Sequence, residues 1–240
     1  MKTNHIIKIG LLASLTASTS CGDSFLDVTS HTQDFVETYY TDSLHISQSL
    51  IAAYSPLQWN DWNGNQYTPQ NAMSDIMGDD MLVGGQSVTD NQFWHLMANY
   101  EAQPNNCMTG MWSNMYCGVK RSNDLLKYAN EHQQNLPTAS YKLWTAEART
   151  LRAYYYNMLW KFWGNIPFYF ENLSAPFRAP QLSADEVYNK VIADLEDVIS
   201  MKVLPTRWDD ANLGRVTQPT AYMLYAEMVM YQKDQSRYPK

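Results

Sequence analysis

Charged residues are scarce in this sequence. They make up 17% of the 240 residues, below the roughly 25% that is usual for a globular domain. Of these, 17 are Lys or Arg and 24 are Asp or Glu, so the formal net charge is -7. Affinity for a nucleic-acid backbone comes mainly from clustered Lys and Arg. The composition therefore predicts no nucleic-acid partner.

Cysteine is nearly absent, and its three occurrences are Cys21, Cys107 and Cys117. Three cysteines are too few for a disulfide framework, and without a Cys-x-x-Cys pair no structural zinc site is expected. Cys107 and Cys117 either close a small disulfide loop or lie near a helix as buried free thiols. The second interpretation is favoured, because unpaired cysteine behaves as a small apolar side chain.

Recognisable catalytic motifs are missing as well. The sequence has no Gly-x-Ser-x-Gly, no His-Glu-x-x-His and no glycine-rich phosphate loop. Asp79 and Asp80 are adjacent, whereas a glycosidase needs two carboxyl groups about 5–10 Å apart on opposite sides of the bond. The Asp-x-Asp-x-Asp pattern of a calcium loop is absent too. We therefore predict no enzyme activity, no cofactor and no metal site.

The first twenty residues are typical of an export signal. Two lysines precede a largely apolar stretch over 9–17, and small residues then lead to Cys21. The apolar stretch is shorter than the roughly 20 residues that cross a membrane. We predict a lipoprotein signal peptide over 1–20, with Cys21 acylated and held in membrane lipid, and an anchor or linker over 21–34. Ordinary signal cleavage with an incidental Cys21 is the alternative.

Helical periodicity dominates the remaining domain, 35–240. The predicted helices are a weaker one near 43–53, two strong ones over 111–131 and 141–162, and two more that begin at Ser183 and Thr217. Ser183 has Glu186 three residues later, as in a capping box, and Thr217 is followed by Pro219 in the first turn. No convincing strand alternation is present. We predict a mostly α fold.

Apolar and aromatic residues at helical spacing are predicted to form the core rather than a binding site. This set comprises Trp112, Trp144, Trp160 and Trp163, a methionine face of Met73, Met77 and Met81, and a face of the last helix with Ala221, Leu224, Met228 and Tyr231. Gly164 is expected to end the longest helix. Arg149 and Arg152 are expected to pair with Glu147 or another acid.

A different pattern covers residues 55–103, which are rich in Asn, Asp, Gly and Gln and also carry aromatic rings. Loops this long are usually functional or disordered, and the aromatic residues argue against disorder. A pyranose presents a face of C–H groups between hydroxyls, so it suits a flat ring beside an amide or carboxylate. The alternative is that these rings fold inward and pack. We predict a sugar-binding surface that comprises Trp59, Trp62, Trp94, Asn60 and Asn91.

Several segments, taken in order, resemble the SusD/RagB family of outer-membrane nutrient-binding lipoproteins. They are CGDSFLDV (21–28), SDIMGDDM (74–81), MWSNMYCGVKRSNDLL (111–126), AEARTLRAYYYNMLWKFWGNIPF (146–168), DEVYNKVIADLEDVI (185–199) and LGRVTQPTAYMLYAEMVMY (213–231). Each segment alone would be a weak signal, whereas the ordered combination is specific and covers nearly all of the chain after residue 20.

The resemblance implies tetratricopeptide-like helix pairs with long irregular loops, anchored at the outer face of a Bacteroidetes outer membrane. It implies binding of an oligosaccharide or polysaccharide and its delivery to a SusC-like, TonB-dependent transporter, without catalysis. In the family a glycan-stacking aromatic lies in the loop after the Ser-Asp acidic motif, which points to Trp94. Members are roughly twice this long, so the chain resembles an N-terminal portion. The alternative function is a helical-repeat adaptor in the transporter complex, without sugar affinity of its own.

Overall fold

The computed structural model describes residues 39–59, 74–78, 80–103, 105–106 and 108–238. Several sequence predictions lie outside these residues: the signal peptide 1–20, Cys21, the linker 21–34, Asn60, Trp62, Met73, Asp79 and Cys107. Within the described ranges, no helix combines the length and the apolar character needed to cross a bilayer.

Helices account for most of the described chain, as predicted. They are α1 (Ser43–Tyr54), α2 (Gln92–Ala98), α3 (Thr109–Glu131), α4 (Thr138–Trp163), α5 (Ala184–Met201) and α6 (Gln218–Gln232), with short 3₁₀ turns over Ser55–Gln58, Gln133–Asn135, Asp210–Asn212 and Gln235–Arg237. Consecutive helices pack together, α3 with α4, α4 with α5 and α5 with α6, while α1 packs on α3 and α4. This serial pairing confirms the mostly α, tetratricopeptide-like fold.

The predicted helix ends are confirmed by their capping contacts. Gly164 has φ of +67° and its N–H bonds the carbonyl of Trp160, which closes α4. Ser183 accepts from the N–H of Glu186, and the Glu186 carboxylate accepts from the Ser183 N–H. Thr217 caps α6 through a reciprocal box of the same kind. A short polar side chain directly before a helical repeat of apolar residues therefore determines where α5 and α6 begin.

The core is built around α4, which carries two fully buried tyrosines, Tyr155 and Tyr156. The Tyr155 hydroxyl donates to the carbonyl of Ala53 at 2.6 Å and so ties α4 to α1. α3 crosses this ring at Gly118, where a Cβ would lie 2.5 Å from three Tyr155 ring atoms. Gly118 therefore sets how closely α3 and α4 approach each other.

A buried ion pair joins α4 to the segment before α6. Glu147 is fully buried and accepts hydrogen bonds from Arg215, with the Nε bond at 3.1 Å, and from the hydroxyl of Tyr54. The same hydroxyl accepts from the N–H of Val216 at 2.8 Å. Burial, and then the Glu147 charge, raises the pKa of Tyr54 above its ordinary value, so this hydroxyl stays protonated and able to donate. The Arg215 guanidinium also lies over the Trp208 ring, with its central carbon 3.9 Å from the ring centroid.

The arginines of α4 pair with a different helix from the one the sequence suggested first. Arg149 bonds Asp194 and Asp197 of α5, and Arg152 bonds Asp194 at 2.9 Å. Structural pairing with an acid is confirmed, but Glu147 is not that acid. Arg149 and Arg152 are three residues apart and share a face of α4, so both reach Asp194, whereas Glu147 pairs with Arg215.

Two local expectations were wrong. Tyr231 is 57% exposed, although its ring makes an edge contact with Trp160. Met81 is 44% exposed in non-helical backbone, so the methionine face does not extend beyond Met77. A short antiparallel ladder also exists, in which β1 (Ile166–Pro167) pairs with β2 (Gln181–Leu182). Two-residue strands are too short to produce a visible alternation in sequence.

The tryptophans at helical spacing do pack, as expected. Trp160 is buried, and Trp112, Trp144 and Trp163 are half-buried against the core. Cys117 lies half-buried on α3 as a free thiol.

Candidate functional site

Trp59 is the most accessible of the predicted sugar-binding tryptophans that the structure describes. It follows the 3₁₀ turn Ser55–Gln58 and remains 40% exposed. The Arg121 guanidinium carbon of α3 lies 4.8 Å from the ring centroid, and Arg121 Nη1 also donates to the Ala52 carbonyl at 3.0 Å. A cation held this way fixes the ring by cation–π attraction. Trp59 is therefore a flat, oriented ring with part of its area open to a ligand.

Trp94 occupies a different environment from the one predicted. It lies within α2 rather than in a loop, and its backbone N–H donates to the Asn91 carbonyl at 2.8 Å. Its side chain is half-buried and packs against the hydrophobic core. The sequence missed this helix because α2 has only seven residues, which is too short for a clear apolar period. Trp94 can offer part of its ring to a ligand while the remainder supports the fold.

Asn91 begins α2 from a left-handed backbone conformation, with φ of +51°. Its side chain is exposed and makes no capping hydrogen bond, so the amide remains available to a ligand. The preceding turn is held by the Asp90 carboxylate, which accepts from the Gln86 N–H at 3.2 Å. At Gly85, with φ of +125°, an added Cβ would lie 2.9 Å from Asp90 Oδ2. The turn before α2 thus has a defined shape that positions Asn91.

Tyr100 is an accessible ring that the sequence reasoning did not single out. It is 75% exposed, and its hydroxyl donates to the Met77 carbonyl at 2.6 Å. This bond joins the segment after α2 to the acidic segment 74–78. Nothing in the spacing pointed to Tyr100, which lies just beyond the helix end with a positive φ of 58°.

The structure brings Trp94 and Asn91 together on α2 and places Trp59 on another element, beside α3. The remaining predicted residues, Trp62 and Asn60, lie outside the described ranges. Among the described residues, no group of His, Cys, Asp and Glu is arranged to hold a metal ion. What the described side chains can do is bind: rings cover C–H faces, and amides exchange hydrogen bonds with hydroxyls.

Serially paired helices with part-exposed aromatic and amide side chains on the intervening segments define an α-helical protein of the tetratricopeptide-like type. The SusD-like family described as "Starch-binding associating with outer membrane" matches residues 24–230, and the chain belongs to this family. This confirms the resemblance found in the sequence.

Solved structures of related proteins agree with this assignment. Surface glycan-binding protein A from Bacteroides uniformis is 52% identical with a TM-score of 0.77, and the match covers 81% of this chain and 43% of that one. Surface glycan-binding protein A from Bacteroides thetaiotaomicron in complex with laminarihexaose is 49% identical with a TM-score of 0.77. The match covers 82% of this chain and 41% of that one. The Bacteroides fluxus protein of the same name is 36% identical with a TM-score of 0.76, and the match covers 82% of this chain and 42% of that one. The chain thus spans less than half the length of these relatives. A search of curated proteins finds no match.

Proposed function

We propose that this protein binds oligosaccharides at a cell surface without catalysing a reaction, and that its ligand is a β-glucan of the laminarin type. The ligand class is supported by the relative that is 49% identical and was solved with laminarihexaose. The observation that carries the proposal is Trp59, which is 40% exposed and oriented by Arg121. A glucose ring would lie against the indole, while neighbouring amides exchange hydrogen bonds with its hydroxyls.

The location and the hand-off to a transporter complete the proposal. Cys21 would be acylated after removal of residues 1–20, which would hold the protein in the lipid of the outer membrane, facing the exterior. The captured oligosaccharide would pass to a TonB-dependent transporter of the SusC type. The family description, which refers to starch binding in association with the outer membrane, supports this location.

Replacing Trp59 with alanine is expected to weaken binding to laminarin about tenfold while leaving the fold intact. The ring is part-exposed, and Arg121 keeps its bond to the Ala52 carbonyl when the indole is removed. A tenfold change corresponds to about 1.4 kcal/mol, within the range of one aromatic stacking contact. Retention in native gels that contain laminarin, with circular dichroism as the folding check, measures the effect.

Phe177→Ala is the matched control, since Phe177 is an aromatic side chain that is 72% exposed on another loop. It should run in laminarin gels as the unchanged protein does. If Trp59→Ala is retained as strongly as Phe177→Ala, then Trp59 does not contact the glycan. Trp94→Ala is a poorer test than the sequence suggested, because the packing of Trp94 against the core makes a loss of stability part of its effect.

A second candidate function, that of a protein–protein adaptor, is supported by the outer face of α6. Four large side chains on this face are 50–73% exposed: Tyr222, Met223, Met230 and Tyr231. Met223, Met230 and Tyr231 line one shallow depression, and monomeric surfaces rarely present large contiguous apolar patches. This function predicts capture of the transporter by the purified chain together with no retention in any glycan gel. Retention in laminarin gels would argue against it.

A further inference from the structure

The start of α3 and the end of α4 enclose a cleft that is separate from the proposed sugar-binding surface. Its volume is about 630 Å³, within the range of roughly 300–1,000 Å³ that is usual for small-molecule sites. Neither Trp59 nor Trp94 lines it. Trp112 lines the cleft. It lies nine residues before Arg121 on α3, which is about 13 Å along the helix axis. The cleft is therefore a different place from the ring that Arg121 orients.

Two tryptophans form the apolar wall of this cleft. The rings of Trp112 and Trp163 meet edge to face, with centroids 5.1 Å apart and planes at 77°. Tyr116 packs beside Trp112 at 4.8 Å, and its hydroxyl donates to the Pro167 carbonyl at 2.6 Å. The wall is thus fixed to β1 as well as to both helices. Rings that are already held in place lose little entropy when a ligand binds.

Polar side chains line the cleft as well. Gln181 Nε2 donates to the Asn165 carbonyl at 3.0 Å, and Asn165 Oδ1 accepts from the Ala184 N–H at 2.9 Å. These bonds fix both amides. Gln181 Oε1, Asn165 Nδ2 and the hydroxyl of Ser113 make no hydrogen bond to any described residue. The cleft therefore presents an acceptor, a donor and a hydroxyl next to an aromatic wall.

None of the described residues that line the cleft is charged. An anionic or cationic ligand would lose its hydration there without gaining a partner of opposite charge. A neutral ligand with an apolar face and several hydroxyls would instead match both parts of the lining. We propose that the cleft is a second sugar site, which binds one neutral hexose unit of an oligosaccharide chain. It shares only the class of ligand with the proposed function and needs no contact with Trp59.

Two sites on one chain change how a long glycan binds. A polysaccharide that occupies both sites dissociates only when both contacts open, so its apparent affinity exceeds that of either site. A hexasaccharide that occupies the sites separately shows two binding events per protein molecule. The cleft is thus expected to add retention on polysaccharide and to raise the stoichiometry for the hexasaccharide.

Calorimetric titration of the purified chain with laminarihexaose tests this inference. The unchanged protein is expected to bind two molecules of laminarihexaose. The Trp163→Ala variant is expected to bind one, with unaltered affinity at the site that includes Trp59. Trp144→Ala is the matched control, since Trp144 is another half-buried tryptophan of α4 but does not line the cleft. Because Trp163 also packs against the core, Gln181→Ala supplies a second variant at an exposed position. It is expected to weaken the cleft site about tenfold.

The outcomes separate this inference from the proposed function. Trp163→Ala and Gln181→Ala variants that bind with the same stoichiometry and affinity as Trp144→Ala would overturn the second site and leave the role of Trp59 intact. Loss of all binding in Trp59→Ala would overturn it as well, because the cleft should act alone. Binding of the hexasaccharide to Trp59→Ala at one site of unaltered affinity, which weakens about tenfold on adding Gln181→Ala, would support it. No binding by the unchanged protein would overturn both proposals.

Discussion

Replacing Arg215 with methionine is expected to lower the free energy of unfolding by about 3–5 kcal/mol at neutral pH. Methionine keeps much of the apolar stem but removes the guanidinium that bonds the Glu147 carboxylate. Glu147 is fully buried, so its charge would remain inside the protein with the Tyr54 hydroxyl as its partner among the described residues. An uncompensated buried charge is among the most destabilising features a substitution can create. Urea unfolding followed by circular dichroism measures the loss.

Two comparisons make this prediction specific to the buried pair. The double variant Arg215→Met with Glu147→Met should be more stable than Arg215→Met alone, because it removes the stranded charge. Arg237→Met is the matched control, because Arg237 bonds Glu196 at 2.8 Å and Asp234 at 2.6 Å near the surface, where Arg237 and Glu196 are 29% and 43% exposed. Ion pairs near the surface contribute about 0–1 kcal/mol to the free energy of unfolding. Equal losses in Arg215→Met and Arg237→Met would mean that the buried pair has no special role.

Replacing Gly118 with alanine is expected to destabilise the protein by about 1–3 kcal/mol, although alanine is the better helix former by about 1 kcal/mol. The new methyl group would lie 2.5 Å from three ring atoms of Tyr155. That ring cannot swing aside freely, because it is fully buried and its hydroxyl bonds the Ala53 carbonyl. The added methyl must therefore push α3 away from α4. Thermal unfolding of the variant measures the cost.

A second glycine provides the control for this substitution. At Gly84 an added Cβ would meet nothing within 4 Å, so Gly84→Ala should change stability by less than about 0.5 kcal/mol. Combining Gly118→Ala with Tyr155→Leu, which removes the ring, should cost less than the sum of the two single changes. A Gly118→Ala protein as stable as the unchanged one would show that α3 and α4 can separate without loss.

The helical framework was predictable because its signals are local. Ser183 with Glu186, Thr217 with Pro219, and Gly164 each act within one or two helical turns, and each does so in the structure. Longer apolar periods fixed α3 and α4 for the same reason. Family membership was predictable from ordered segments, which the match over residues 24–230 confirms.

Features that depend on distant residues were not predictable. The partner of Glu147 is Arg215, 68 residues later, and no spacing rule connects them. Tyr231 keeps the helical period of its apolar neighbours but lies on the side of α6 that is exposed. The two-residue strands β1 and β2 pair across a loop and leave no pattern of their own. Tertiary contacts decide each of these outcomes.

The candidate site, too, was predictable only in part. Composition alone indicated rings and amides suited to sugar, and Trp59 and Asn91 are indeed accessible. The burial of Trp94 follows from its place in α2, which composition does not reveal. Trp112 and Trp163 were expected to be packing residues and do pack, yet one part of each also lines a cleft. A helical period predicts which side chains contact the core, but not which rings also remain open at a helix end.

The central claim is that aromatic side chains of this protein lie against the rings of a bound β-glucan. Saturation-transfer difference NMR with laminarihexaose tests it directly, because transfer reaches only ligand protons in close contact with the protein. The predicted result is strong transfer to the hexose ring protons when the aromatic region is saturated, reduced in Trp59→Ala. Absence of transfer from a folded, unchanged protein would contradict the claim.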